Sequence, residues 1–218
     1  MKPSDFVDAI TAVHLDAVFN PYSDRCELYD RADAPQRRRA NLRAALEAAS
    51  CQDIDSIWIA RDLGYRGGRR TGLALTDEIH LPAFSEIYGG LTLSRATKGA
   101  PVAERTAAII WRVLTQIDRQ VFLWNVFPLH PYEPGEPLSN RCHTRAERAV
   151  FMELLYSLID MLHPKRVIAI GKDAQTALSE FEIESYAVRH PSYGGQTDFM
   201  RGMAELYEID IDPDHRVV

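Results

Sequence analysis

The sequence predicts an α/β protein: a three-layer α/β/α sandwich around a mainly parallel four-stranded sheet. Three observations carry that expectation. Four short apolar runs are spaced along the chain: "SIWIA" (56–60), "VFLWN" (121–125), "RVIAIG" (166–171) and the shorter "YAVRH" (186–190). Helical patterns lie between them, and strand alternating with helix means parallel pairing with helices on the sheet faces. The first three runs are nearly continuous in apolar residues, as strands buried on both faces should be.

Taken in order, "PQRRRANLRAALEAA" predicts a helix before the first strand. After that strand comes "RDLGYRGGRRTG", a loop of glycine and arginine. Residues 84–100 read as a second loop, broken at "YGG" and "TKGA". "PVAERTAAIIWRVLTQID" predicts the helix before the second strand, with Pro101 in its first turn. Residues 127–143, "FPLHPYEPGEPLSNRCH", carry four prolines and no usable period, which predicts a long functional loop. "TRAERAVFMELLYSLIDML" predicts the helix before the third strand, and Thr144 with Glu147 spells a capping box. "DAQTALSEF" predicts the helix before the fourth, and "HPSYGG" closes that strand.

The bulk composition bounds the class. With 218 residues and a hydrophobic fraction of 46%, one domain over 1–218 with a real core is expected. No apolar run is long enough to span a bilayer. "MKPSDFVDAI" does not resemble a secretory signal, so a cytoplasmic location and no membrane partner are expected. Cys26, Cys51 and Cys142 form no CxxC pair and no disulfide framework, in keeping with a reducing compartment. The net charge of −6 argues against a non-specific nucleic-acid binder. Arginines nevertheless gather in "RRRANLR" and "RGGRR", and local potential decides where a phosphate settles.

Every unusual loop follows the C-terminal end of a predicted strand, where open α/β sheets bind ligands. Four segments distant in sequence can therefore converge on one crevice. In the first loop, Gly67 and Gly68 would let backbone N–H groups approach an anion, and Arg66, Arg69 and Arg70 would add charged contacts to phosphate. A solvated turn is the competing reading. The loop lacks GxxxxGK[ST], which argues against a nucleotide triphosphatase. Asp62 would face the crevice, or else cap a helix or pair with an arginine. Asn125 ends an apolar strand, so its amide must either close a turn or read the edge of a base. In "HPSYGG", Ser192 and the glycines offer phosphate contacts beside His190. His130, Cys142 and His143 match no metal-ligand spacing, so no metal is expected.

These residues resemble the uracil-DNA glycosylase superfamily over roughly residues 20–203. The frame of its first motif falls on Ala60-Arg61-Asp62-Leu63-Gly64, which gives Asp62 the place of the catalytic aspartate. "GGRRTG" is similar to the loop of another branch. Asn125 falls where the family's uracil-reading asparagine ends its strand. "HPSYGG" resembles the second motif through His190, Pro191 and Ser192. Leu63 and Ala60 depart from the usual proline and glycine. Leu75 stands where a phenylalanine stacks on the base, with Tyr65 or Phe84 as substitutes. Gly64 replaces the tyrosine that excludes thymine. The four thiolates of the iron–sulfur branches are incomplete, so no cluster and no other cofactor is expected.

The resemblance implies a monofunctional glycosylase, without lyase activity, acting as a monomer on DNA that holds uracil or another deaminated base. Asp62 would orient water and stabilise the sugar cation. His190 would donate to the uracil O2, a contact worth about 3 kcal/mol. Asn125 would bond O4 and N3–H, with Gly64, Tyr65 and Leu75 around the base. Arg66, Gly67, Gly68, Arg69, Arg70, Ser192 and Gly194 would hold the DNA, and Tyr193 would fill the vacated stack. Asp77 or Glu78 is the next carboxylate should Asp62 prove dispensable. Two rivals remain: a module that only holds damaged or single-stranded DNA, and an N-glycosidase for free nucleotides.

Overall fold

A computed structural model describes residues 1–217. Pro3 opens the first helix, α1 (Pro3–Thr11), whose buried face is Phe6, Val7 and Ile10. A two-residue strand, β1 (Val18–Phe19), leads to α2 (Ala34–Ala49). The first long strand is β2 (Ser56–Asp62), followed by the short helices α3 (Gly68–Thr71) and α4 (Leu81–Ile87) and then by α5 (Arg105–Leu114). Next come β3 (Val121–Phe127), β4 (His130–Pro131), α6 (Arg145–Ala149) and α7 (Met152–Leu162). The chain continues through β5 (Arg166–Ile170), α8 (Lys172–Glu180), β6 (Tyr186–Val188) and α9 (Gln196–Tyr207).

Four strands form one sheet in the order β3-β2-β5-β6, and every pairing is parallel. All seven residues of β3 and the first five of β2 are buried. Successive strand residues point to opposite faces, so both faces of the sheet are covered by helices. The expected α/β/α layering is what the chain adopts. Parallel pairing also puts all four C-terminal ends on one edge. Ala60 lies opposite Asn125, Asp62 opposite Phe127, and Ile170 opposite Val188.

Several elements differ from expectation. A second sheet, of β1 and β4, pairs antiparallel with Phe19 opposite His130. The ladder carries β2 and β3 two residues beyond the apolar runs, to Asp62 and Phe127. The helix expected from Pro101 begins at Arg105, because Glu104 keeps an extended backbone and donates its N–H to Asp77 Oδ2 at 2.6 Å. The helix expected over 144–162 is broken between α6 and α7. There Phe151 turns inward, 1% exposed, to meet Phe127 edge-on at 5.2 Å. The expected loop 84–100 contains the end of α4. Among the described residues no helix is long and apolar enough to cross a membrane.

Candidate active site

A cavity of about 660 Å³ opens at the C-terminal edge of the sheet. Its wall takes Ala60 to Gly64 from the end of β2, Gly171 from the end of β5, and His190, Ser192 and Tyr193 from the segment after β6. Asp62, whose side chain is 9% exposed, accepts from Arg61 Nε at 2.9 Å on its Oδ2. The His143 ring lies 3.4 Å from the same oxygen and stacks on Phe127. The contacts found for this carboxylate all fall on Oδ2, which leaves Oδ1 for a ligand.

His190 is held by its own loop. Its Nδ1 lies 3.2 Å from the Ser192 N–H and 2.8 Å from Ser192 Oγ. A backbone N–H can only donate, so Nδ1 accepts and the ring proton of the neutral form sits on Nε2. Burial, reinforced by the Arg61 guanidinium, holds the pKa of this imidazole below its ordinary value despite the opposing effect of Asp62. Two glycines make this geometry possible. A Cβ on Gly171 would come within 2.9 Å of His190 Cβ, and one on Gly195 would overlap the His190 carbonyl.

Asn125 does not line the cavity. It lies one strand over from Ala60, which does, and it is 1% exposed. Neither its Oδ1 nor its Nδ2 has a hydrogen-bond partner among the described residues. An amide in that state costs about 1–3 kcal/mol per orphaned group unless a ligand or water satisfies it.

The family model of the uracil DNA glycosylase superfamily matches residues 90–209, which include Asn125 and His190. The chain belongs to the uracil DNA glycosylase superfamily. Among solved structures it is similar to SMUG2 of Pedobacter heparinus, with a TM-score of 0.61 at 13% identity over 95% of this chain and 96% of that one. That likeness is one of fold. No curated protein matches the chain. Membership of the superfamily supports a function of DNA glycosylase type.

Within this superfamily fold, the residues expected at the base divide. Gly64 and Leu75 line the cavity, and Leu75 holds a left-handed backbone with φ +54°. Tyr65 sits at the rim, its N–H donated to Asn140 Oδ1 at 3.0 Å. Phe84 is no substitute for stacking. It is buried against Tyr88 and Trp111 with ring centroids at 5.2 and 5.8 Å.

The loop expected to hold DNA is largely an internal structure, which corrects two of its residues. Arg69 is 2% exposed, with its guanidinium 3.9 Å from the Phe19 ring centroid, 3.0 Å from His130 Nδ1, and bonded to the Pro137 carbonyl. Arg70 is 7% exposed, donates to Glu78 Oε2 at 2.9 Å and lies over Tyr29. Neither can reach a phosphate. Gly67 is buried, and both it and Gly64 carry the Glu104 carboxyl where a Cβ would stand. Gly68 lines the cavity against Leu63. Arg66 is exposed, donating only to the Ala103 carbonyl at 3.3 Å. Ser192 faces the cavity and Tyr193 stands 99% exposed at its mouth, while Gly194 has φ +78° and open space around it.

The alternative carboxylates are both committed elsewhere. Asp77 accepts from the His80 ring at 2.6 Å and from the N–H groups of Ile79, His80 and Glu104. Glu78 accepts from Arg70, Arg95, Thr97 and the Val102 N–H. Neither lines the cavity. The sequence reading passed over Glu104, which does, and over His143, which was weighed only as a metal ligand. A helix drawn from Pro101 hides Glu104 in a helical turn. His143 reaches Asp62 through tertiary contact alone.

Proposed function

We propose that this protein hydrolyses the N-glycosidic bond of uracil or another deaminated base in DNA and leaves an abasic site. The observation that carries the reading is one cavity with a carboxylate and a neutral imidazole on its wall, backed by an unpartnered buried amide one strand away. Cleavage of the C1′–N bond sends its electron pair to the base and leaves positive charge on the sugar. Asp62 stabilises that charge and orients water through Oδ1, as carboxylates do beside other oxocarbenium-like centres. The water oxygen bonds to C1′ and its proton passes to the base, carried meanwhile by Asp62 or solvent. His190 donates Nε2–H to the oxygen where negative charge develops. Asn125 lies one strand from the wall at Ala60, and a base seated deep enough to reach it would supply, through its amide-like edge, the partners its side chain lacks. The target nucleotide leaves the stack to enter, and Tyr193 fills the gap. Water is the nucleophile, so the product strand stays intact.

The test uses uracil-, hypoxanthine- and xanthine-containing oligonucleotides. Asp62→Asn should bind as wild type does and release base about 10²–10³-fold more slowly in single turnovers. Strands should break only after alkali. Unchanged rates in Asp62→Asn, or no abasic product from wild type on any lesion, would reject the reading.

A further inference from the structure

Glu104 reaches the cavity from the N-cap of α5. Its backbone is fixed, with the N–H donated to Asp77 two residues past Leu75. Its carboxyl fills the space over Gly64 and Gly67, where any Cβ would overlap Oε1 or Oε2. Among the described residues no hydrogen-bond donor is found on either oxygen. Gly64 and Leu75, the two cavity residues expected against the base, therefore share the cavity wall with a second carboxyl group, which lies against Gly64 itself.

Resting on the glycosylase reading above, we infer that Glu104 is a further catalytic and specificity-determining residue, working as a neutral acid that donates its O–H to a carbonyl of the departing base. Two carboxyl groups in one cavity then do opposite work. Asp62, paired with Arg61, serves the sugar cation, and Glu104 is protonated for the base anion. An ionised Glu104 would face both the base carbonyl and the developing charge with a repulsive oxygen.

The surroundings favour that division. Burial, together with the charges of Asp77 and Asp62, pushes the Glu104 carboxyl up to about 7, against the opposing effect of Arg66. These groups come from the turn after Leu75, the end of β2 and the loop between β2 and α3. Of the other cations on nearby segments, Arg141 is committed to Glu147 and Arg105 is exposed. Glu104 is neutral below about 7, so activity is present on the acid side and lost as pH rises through that value. The substrate class implied is a base with a carbonyl on its exposed edge, as deamination produces.

The experiment measures single-turnover base release from pH 5.5 to 8.5 in wild type, Glu104→Gln, Glu104→Ala and Asp62→Asn. Wild type should fall about tenfold per pH unit above its upper midpoint. Glu104→Gln, which keeps a donor and cannot ionise, should stay within about tenfold of wild type at pH 6 and lose the alkaline limb. Glu104→Ala should be about 10²-fold slower throughout. Infrared difference spectra of wild type against Glu104→Gln should show a protonated carboxyl at pH 6, whatever the activity. An absent carboxyl band, a flat wild-type profile, or a limb that survives in Glu104→Gln would overturn the role of Glu104 while Asp62→Asn remained inactive. Wild type inert on every lesion would remove the glycosylase reading and this inference together.

Discussion

Arg70 and Glu78 meet with side chains 9% and 1% exposed, and Thr97, Arg95 and the Val102 N–H complete the carboxylate's shell. Removing one member of such a pair strands the other charge in the interior, at a cost of about 3–5 kcal/mol. Arg70→Ala should therefore lower the thermal midpoint sharply, while the salt dependence of DNA binding, measured on whatever protein stays folded, keeps its wild-type slope. A flattened slope would put Arg70 on DNA after all. The sequence makes this arginine look solvated because it sits among glycines. What buries it is Tyr29, some forty residues away, and Glu78, whose sequence position beside Asp77 points to a site role rather than to an internal ion pair. The placement of Asp62 and His190 on one cavity wall was readable for the opposite reason: Asp62 ends β2 and His190 follows β6 closely, and a parallel sheet gathers strand ends on one edge.

The strands were visible because burial on both faces demands unbroken apolar runs, and β2, β3 and β5 have them. Helix limits were less so, because tertiary hydrogen bonds set them. Asp77 decides where α5 starts, and the inward turn of Phe151 splits α6 from α7. The capping box at Thr144 was readable, being local, and both of its bonds are made. Its Glu147 also holds Arg141, at 2.6 Å, on the cavity wall beside Cys142 and Asn140. Thr144→Ala should cost about 1 kcal/mol. Hydrogen exchange should quicken in α6 and at Arg141 and stay unchanged in β2. Uniform acceleration across the protein would mean the cap supports the whole fold rather than this wall. α9 carries a readable stripe, Phe199, Met200 and Met203, but too few turns of it to stand out from the loop before it.

At the scale of the molecule, a net charge of −6 is a poor start for a DNA-binding surface. The mouth of the cavity is different. Lys172 and Arg189 line it, both exposed, and among the described residues no ion pair is found for either; Arg66 stands exposed on the glycine loop. These three replace Arg69 and Arg70 as the cations available to flanking phosphates. Lys172→Gln and Arg189→Gln should each reduce the slope of log affinity against log salt by about 1, with similar losses on damaged and undamaged duplexes. Slopes that do not change would place the phosphates elsewhere. Arg66 belongs to the glycine loop the sequence points to, but no run or motif singles out Lys172 or Arg189, since each lies just past a strand and becomes part of the rim only when the sheet closes.

The two sides of the pocket stand on unequal footings. Asp62 ends an interior strand with ladders on both sides, whereas His190 follows β6, three residues at the border of the sheet with Tyr186 and Ala187 open to solvent. Border segments with few buried contacts open at lower free energy than the centre. On warming, the imidazole lip is expected to loosen while the acid stays in position, so the pocket should come apart before the protein is denatured.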